Sequence, residues 1–347
     1  MCRIVRDHTT ESLQAGKDIM KSFTIRENEA GQRLDKYLRK LLPDAPGSFI
    51  YKMLRKKNIV LNAKKATGAE HLSVGDEVVC YLSDDTFDNF SKSSGDAVRE
   101  LKQVPVQAAC SVVYEDEDIL VMNKPAGMLS QKAKESDISA NEHMIAYLLE
   151  TKAVSEADLR TFRPSICNRL DRNTSGLLLA GKTLRGLQHL SAELKSRSMA
   201  KYYRCLVKGD ISKKELQKGY LLKDERENAV SIFQNGAPNR KYIETEYDPV
   251  ERFGDYTLLE VHLITGRSHQ IRAHLASLGH PVIGDPKYGD ARQNRLFEKQ
   301  AGVNRQLLHA YRVRFSDGSE AVADLPGDFE AALAWLRGRA QKESGKG

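Results

Sequence analysis

The 347-residue chain lacks a long hydrophobic run, and its first nineteen residues contain neither an apolar core segment nor a small-residue cleavage site. A helix that crosses a bilayer needs about 18 consecutive apolar residues, so the sequence excludes a membrane protein and shows no secretion signal. Cysteine is also scarce, because the five cysteines are widely separated and form no Cys-x-x-Cys pair. This excludes a disulfide framework and a clustered thiolate zinc site, and we expect a protein of the reducing cytoplasm.

Motifs for nucleotide binding, for a serine-hydrolase nucleophile and for zinc are missing as well. The sequence contains no P-loop pattern, no GxGxxG after a predicted strand and no GxSxG elbow. His269, His274 and His280 lie close together, but the first two are five residues apart with no acidic residue between them, which disfavours a zinc site. We therefore expect no metal and no cofactor, and interpret these histidines as hydrogen-bonded structural groups.

Positive charge is concentrated near the start of the chain. Lys and Arg number 54 against 47 Asp and Glu, a net charge of +7, and residues 1–82 hold 15 basic and 10 acidic residues, which is +5 of that total. Amphipathic helices are predicted from Arg33 to Leu42, with Leu34, Leu38 and Leu41 on one face, and from Ser48 to Lys57. The pattern predicts a small phosphate-binding module, while solvation of exposed helix faces is the alternative.

Composition divides the chain into segments. Residues 83–105 are rich in Ser, Asp and Gly and lack apolar periodicity, which favours a linker. After it, predicted strands and helices are interspersed without a regular βαβ repeat, so we expect an α+β fold. The predicted segments are a flexible extension over 1–19, the small module over 20–82, the linker over 83–105, a second domain over 106–337 and a frayed tail over 338–347.

Two dense polar motifs stand out in the second domain. Residues 169–179 read RLDRNTSGLLL, which places Asp171 in a loop leading into a buried strand, a position suited to a functional side chain. A turn-capping role for this Asp is the alternative. Residues 265–275 read TGRSHQIRAHL and contain Arg272, whose planar guanidinium suits a carboxylate or a phosphate.

Together with three further segments, these motifs resemble the RluA family of pseudouridine synthases. The segments VVYEDEDILVMNKPAG at 112–127, MAKYYRCLVKG at 199–209 and LLHAY at 307–311 occur in the family's order. The resemblance covers residues 106–330, and residues 33–79 resemble the small RNA-binding module of ribosomal protein S-four. It implies a catalytic domain with a mixed, largely antiparallel sheet flanked by helices and loops, preceded by a small α+β RNA-binding module, and an isomerase that needs no cofactor.

The resemblance also implies the site residues. Asp171 is expected to be the catalytic aspartate, which attacks the ribose or the base or removes a ribose proton, and Arg272 is expected to be its ion-pair partner. Tyr203 is expected to stack on the target uracil, which must leave its own stack, and to assist proton removal from C5. The expected substrate-binding residues are Arg169, which occupies the space left by the flipped base, Ile271 as an apolar wall, Lys201 and Arg267.

Two positions depart from the family pattern. Asn168 stands where a His usually precedes Arg-Leu-Asp, so a pH-dependent role of that residue is lost, although Asn still donates and accepts hydrogen bonds. Ser130-Gln131 stands where His-Pro is common, and we expect it to alter the loop without touching a catalytic group.

Substrate choice rests on the resemblance alone. Family members with the N-terminal module imply large-subunit ribosomal RNA as the substrate, and we expect a monomer. Transfer RNA is the alternative substrate. The alternative function is a catalytically silent RNA-binding or ribosome-assembly factor.

Overall fold

The computed structural model describes residues 20–105 and 110–344. The predicted extension over 1–19 therefore lies outside the described residues. The chain forms two compact units, the first with the residues up to Val104 together with Ile145–Pro164 and Thr183–Arg185, and the second with Pro105–Met144, Ser165–Lys182 and the residues from Gly186 onward. None of the helices in the described ranges has both the length and the hydropathy of a bilayer-crossing segment.

The first unit contains an antiparallel sheet with two short helices packed against it. Its first elements are β1 (Met20–Thr24), α1 (Leu34–Leu41), α2 (Gly47–Arg55), β2 (Ile59–Leu61), β3 (Lys64–Lys65), β4 (Glu77–Tyr81) and α3 (Asp84–Lys102). The strand order is β1-β4-β2-β3. Leu34, Leu38 and Leu41 are all buried in the core of this unit, which confirms the amphipathic helix that their spacing predicts.

The segment predicted as a linker over 83–105 is mostly helical. Ser83 caps the start of α3 by accepting the Thr86 N–H, and acidic residues in the first turn with basic residues in the last turn suit the helix dipole. Phe87 is buried in the core of the first unit, which adds tertiary packing to these local signals. Composition alone favoured a linker because Ser, Asp and Gly are frequent in this segment.

The remaining elements continue to the end of the described chain. They are β5 (Ser111–Glu115), β6 (Ile119–Lys124), α4 (Ala140–Glu150), α5 (Glu156–Leu159), β7 (Ser165–Ile166), β8 (Ser175–Gly181), α6 (Leu184–Ser196), β9 (Ala200–Lys208), β10 (Glu215–Asp224), β11 (Ala229–Phe233), β12 (Lys241–Arg252), β13 (Tyr256–Leu263), α7 (Gln270–Ser277), α8 (Ala291–Ala301), β14 (Leu308–Arg314), β15 (Glu320–Val322) and α9 (Gly327–Ser344). The tail predicted to fray from residue 338 is helical up to Ser344.

The second unit is organised around one large sheet. Within the described residues its strand order is β11-β10-β12-β13-β9-β14-β8-β6-β5, with β15 beside β14 and β7 beside β8. The β8–β14 pair is parallel, and the other described pairs of this sheet are antiparallel. This confirms the predicted α+β fold with a mixed, largely antiparallel sheet.

A close approach of two strands fixes the start of β8. Gly176 has φ +115°, and a Cβ at this position would lie 2.2 Å from the carbonyl oxygen of Ala310 on β14. Only glycine allows this backbone conformation and this contact without strain. The loop that carries Asp171 therefore leads into a strand whose position in the sheet is closely constrained.

Candidate active site

Asp171 lies in the loop between β7 and β8. Its carbonyl oxygen accepts the Thr174 N–H at 3.0 Å, which closes a turn just before the buried strand begins. The side chain is 27% exposed, so one face of the carboxylate is accessible from solvent. The loop thus presents a carboxylate at the surface of a rigid sheet, as the sequence predicts.

Arg272 connects Asp171 to a second carboxylate. It lies on α7 with a side chain only 7% exposed, and its Nη1 donates to Asp171 Oδ2 at 2.8 Å. Its Nε and Nη2 donate to Asp285 at 2.7 and 2.9 Å, a bidentate pair. The structure therefore places the predicted partner beside Asp171 and adds Asp285 as its anchor.

Asp285 is a buried charge whose hydrogen-bonding capacity is well satisfied. The side chain is 0% exposed, and it also accepts the backbone N–H groups of Lys287 at 2.8 Å and Tyr288 at 3.0 Å. Burial by itself would raise the pKa of Asp285, but Arg272 and these two N–H groups outweigh it and lower the pKa. For Arg272, burial acts to lower the pKa, and the two carboxylates raise it overall. The side chains of Asp285 and Arg272 are thus both ionised at neutral pH.

Tyr203 and Lys201 project from β9, two residues apart and hence toward the same face of the sheet. Tyr203 is buried, and burial, assisted by the charge of Asp171, raises its pKa above the ordinary value. Burial, followed by the charge of Arg197, lowers the pKa of Lys201. Tyr203 pairs with Ala310 of β14, and Ala310 pairs with Gly176 of β8, the strand that follows the Asp171 loop.

The other predicted substrate-binding residues are arranged differently. Ile271 is buried beside Arg272 in the first turn of α7. Arg169 and Arg267 are exposed, and among the hydrogen bonds and ion pairs of the described chain neither contacts Asp171. The structure therefore brings Asp171 and Arg272 together and leaves Arg169 and Arg267 with their guanidinium groups in solvent.

Lys124, at the end of β6, supports the loop of Asp171 and has no predicted role. The side chain is fully buried, and Nζ donates to the carbonyl oxygens of Pro125, Met128 and Arg172 at 2.9, 2.9 and 3.1 Å. Burial lowers the pKa of Lys124 to about 8. Its three bonds tie the segment after β6 to the residue that follows Asp171.

The two departures from the family pattern also have structural roles. The Ser130 hydroxyl donates to the Leu170 carbonyl at 2.8 Å and accepts the Leu170 N–H at 3.0 Å, directly before Asp171. The amide of Asn168 donates to the Leu177 carbonyl and accepts the Leu179 N–H, which extends the pairing of β8. Ser130 therefore holds the neighbour of Asp171 in place, and Asn168 is engaged with the strand backbone.

The three histidines considered as zinc ligands each have a hydrogen-bond partner. Nδ1 of His269 lies 2.9 Å from the hydroxyl of Tyr288, and Nδ1 of His280 lies 3.0 Å from the carbonyl of Lys208. His274 is buried with Nδ1 3.4 Å from the Thr245 hydroxyl. Of the three, His269 also faces Asp171, with Nε2 3.9 Å from Oδ1.

Comparison with known proteins identifies the family. Residues 118–277 match the family described as RNA pseudouridylate synthase. The ribosomal large subunit pseudouridine synthase C of Vibrio vulnificus is 33% identical over 293 residues, which are 84% of this chain and 87% of that protein. The chain belongs to the RNA pseudouridylate synthase family. It is a pseudouridine synthase, and hence an isomerase that acts on RNA.

Further relatives agree with this assignment. The protein of the same name from Escherichia coli strain K12 is 33% identical over 302 residues, covering 86% of this chain and 89% of that protein. Among solved structures, human RNA pseudouridylate synthase domain containing 4 has a TM-score of 0.54 at 18% identity, covering 71% of this chain and 97% of that one. At this identity, the likeness to the human structure supports the fold alone.

Proposed function

We propose that this pseudouridine synthase isomerises uridine in large-subunit ribosomal RNA, with Asp171 as the catalytic carboxylate. The observation that carries the residue assignment is the 2.8 Å contact of Arg272 with Asp171, made by a guanidinium that the buried Asp285 holds in place. The named relatives, which share about a third of their residues with this chain, support the ribosomal target.

The reaction breaks the bond between N1 of uracil and C1′ of the ribose, rotates the base and joins C5 to C1′, while C5 gives up its proton to solvent and N1 takes up a proton. Atoms and electrons balance within the nucleotide, so no redox partner is consumed. Attack on the ribose, attack on the base and removal of a ribose proton all require an ionised carboxylate with one available oxygen. In this site Arg272 binds Oδ2 of Asp171, which leaves Oδ1 for the substrate.

The surroundings supply the other parts of the reaction. Tyr203 on β9 is the proposed aromatic on which an extruded uracil stacks. The buried Ile271 provides an apolar wall. Lys201 and Arg267 supply positive charge for the RNA backbone, and Arg169 occupies the space that the base leaves.

The proposal also covers the oligomeric state of the enzyme, its cellular compartment and its RNA-binding module. We also propose that the enzyme acts as a monomer. Among the described residues, Cys80, Cys110, Cys167 and Cys205 are free thiols, which suits the reducing cytoplasm where ribosomal RNA is processed. The basic helices α1 and α2 support a role of residues 20–82 in holding RNA.

The test is Asp171→Asn, which keeps the size of the side chain and removes its charge. We expect tritium release from C5-labelled uridine in ribosomal RNA to be lost while RNA binding persists, because the substitution affects the reacting group alone. Asp255→Asn, at an exposed position between β12 and β13, is the matched control and should leave the rate unchanged. Release by Asp171→Asn at the wild-type rate would overturn the assignment of this residue.

The RNA target requires a separate measurement. Pseudouridine mapping of total RNA, with and without the gene, should show sites lost from large-subunit ribosomal RNA. Loss of sites only from transfer RNA would replace the proposed substrate. No change in any RNA, together with an inactive purified protein, would favour the alternative of a catalytically silent RNA-binding factor.

A further inference from the structure

We propose that His269 and Tyr288 form a positioning pair for the reaction, in which Tyr288 fixes a neutral His269 so that its Nε2 proton faces Oδ1 of Asp171. This inference rests on the proposed role of Asp171 as the catalytic carboxylate. It gives a role in the reaction to His269, which the sequence predicts to be structural, and to Tyr288, for which the sequence predicts no role.

The position of His269 is specific and requires support. It is the residue before α7 and adopts a left-handed backbone conformation, with φ 53° and ψ 14°. Side chains other than glycine adopt this conformation only at an energetic cost, so the surrounding structure must maintain it. The ring is only 12% exposed and meets the ring of Tyr288 edge to face, with centroids 5.7 Å apart. His269 is therefore held between α7, Tyr288 and Asp171.

The hydrogen bonds of Tyr288 determine the tautomer of His269. The Tyr288 oxygen accepts the backbone N–H of Val230 at 2.9 Å and lies 2.9 Å from Nδ1 of His269. A phenol has one proton, and the arrangement that satisfies every group has Tyr288 donating that proton to Nδ1. The remaining proton of a neutral imidazole then lies on Nε2, which is 3.9 Å from Oδ1 of Asp171.

The surroundings of His269 shift its pKa in both directions. Burial lowers its pKa most strongly, the charge of Asp171 raises it, Arg272 and Lys287 lower it and Asp285 raises it, and the net effect is a lowered pKa. His269 is thus neutral at neutral pH, as the tautomer argument requires. Its N–H is a donor toward Asp171 that adds no further positive charge beside Arg272.

The pair acts on a rotation of the Asp171 carboxylate that Arg272 does not prevent. Arg272 contacts only Oδ2 of Asp171, so the carboxylate can still turn about its Cβ–Cγ bond. The Nε2–H dipole, 3.9 Å from Oδ1 and thus beyond hydrogen-bond distance, favours one orientation of the carboxylate electrostatically. Tyr288 is tied to the same anchor as Arg272, because its backbone N–H donates to Asp285 at 3.0 Å. Arg272, which contacts Asp171, and Tyr288, which contacts His269, are therefore both tied to Asp285.

The first test reads the tautomer directly. Nitrogen-15 NMR of the imidazole should show the Nε2–H tautomer of His269 in the wild-type protein at neutral pH. In Tyr288→Phe, which keeps the ring and removes the donor to Nδ1, the Nδ1–H form should gain population. An Nδ1–H tautomer in the wild-type protein would overturn the proposal, and so would a tautomer that does not change in Tyr288→Phe.

The second test is kinetic. His269→Asn suits a left-handed backbone and ends short of Asp171, so we expect kcat to fall by about 10-fold to 100-fold with little change in RNA affinity. Tyr288→Phe should show a smaller fall in the same direction. His280→Asn, at a histidine bonded to the Lys208 carbonyl, is the matched control and should retain the wild-type kcat.

The two tests separate this inference from the proposed function. If Asp171→Asn is inactive and His269→Asn retains the wild-type kcat, the positioning pair is wrong and the catalytic assignment stands. If Asp171→Asn is active, the assignment of Asp171 fails, whatever the histidine variants show. A fall in RNA affinity without a fall in kcat for His269→Asn would mean that His269 binds substrate, and would also overturn the positioning role.

Discussion

Asp285 holds the guanidinium of Arg272 through two hydrogen bonds, from Nε at 2.7 Å and from Nη2 at 2.9 Å. The one remaining nitrogen, Nη1, reaches Asp171. The cation beside Asp171, the proposed catalytic carboxylate, is therefore held in place by Asp285, a carboxylate with no exposed side-chain surface. This arrangement separates Asp285, which positions the charge, from Asp171, which is proposed to react.

Substitution of Arg272 should distinguish geometry from charge. Arg272→Lys keeps the positive charge but cannot bridge two carboxylates with a planar fork, so we expect tritium release to fall about 100-fold. Arg272→Ala leaves Asp285 buried without its partner, which should lower the free energy of unfolding by about 3–5 kcal/mol. Arg295→Lys, at an exposed position on α8, is the matched control for the conservative change. Full activity of Arg272→Lys, or wild-type stability of Arg272→Ala in urea denaturation, would contradict this account.

Tyr203 should contribute mainly through its ring. Stacking of a base on an aromatic side chain is worth about 1–3 kcal/mol, so Tyr203→Ala should weaken RNA binding measurably, while Tyr203→Phe should retain it. Binding is best measured in the Asp171→Asn background, where turnover is absent. Because burial keeps Tyr203 protonated at neutral pH, any fall in kcat in Tyr203→Phe reports the neutral hydroxyl.

Tyr114→Ala, at an exposed tyrosine of β5, is the control for this measurement. Equal RNA affinity of the Asp171→Asn protein with and without Tyr203→Ala would exclude stacking as the role of Tyr203.

Local patterns predicted the elements whose signals are local. The spacing of Leu34, Leu38 and Leu41 identified α1, and the apolar run after Asp171 identified β8, because helix and strand periodicities can be read within a few residues. The α3 helix was not predicted, because its composition resembles that of a linker. The Ser83 cap with acidic residues after it was a usable signal of a helix start.

The site could be predicted only in part for a related reason. Asp171 and Arg272 are 101 positions apart, and only the resemblance to a family paired them, since spacing does not show which loops meet. Asp285 and Lys124 were missed because an Asp in a turn and a Lys after a strand are ordinarily exposed. Their burial, and hence their roles, arises from packing among segments distant in sequence.

The basic surface of α2 gives a prediction for RNA binding. Lys52 and Arg55 of α2 and Lys56, the residue directly after it, are exposed, and α2 buries Ile50, Met53 and Leu54. Replacing the three basic residues with Gln should weaken RNA binding and reduce the slope of log affinity against log salt by about 0.7–0.9 for each phosphate that the variant no longer neutralises. The slope is measured by titrating RNA into the protein at several salt concentrations.

A matched control for this charge change lies on α8. Arg292, Arg295 and Lys299 are also exposed, so replacing them with Gln removes the same net charge from the second unit. Equal effects of the two triple variants would mean that RNA responds to total charge, which would contradict a dedicated role of the N-terminal module.

His309 should make the stability of the protein depend on pH in the acid range. It is fully buried, with Nδ1 2.8 Å from the Ser175 hydroxyl and Nε2 3.3 Å from the Ala323 carbonyl, an environment suited to a neutral ring. Burial lowers its pKa to about 4, below the ordinary value of about 6.5. As pH falls from 6.5 to 4 the unfolded chain binds a proton that the native state excludes, so the native state should lose up to about 3 kcal/mol over this window. Urea denaturation of the wild-type protein and His309→Gln between pH 7.5 and 4 measures the difference, since other titrating groups are common to both, and identical pH slopes would refute this role of His309.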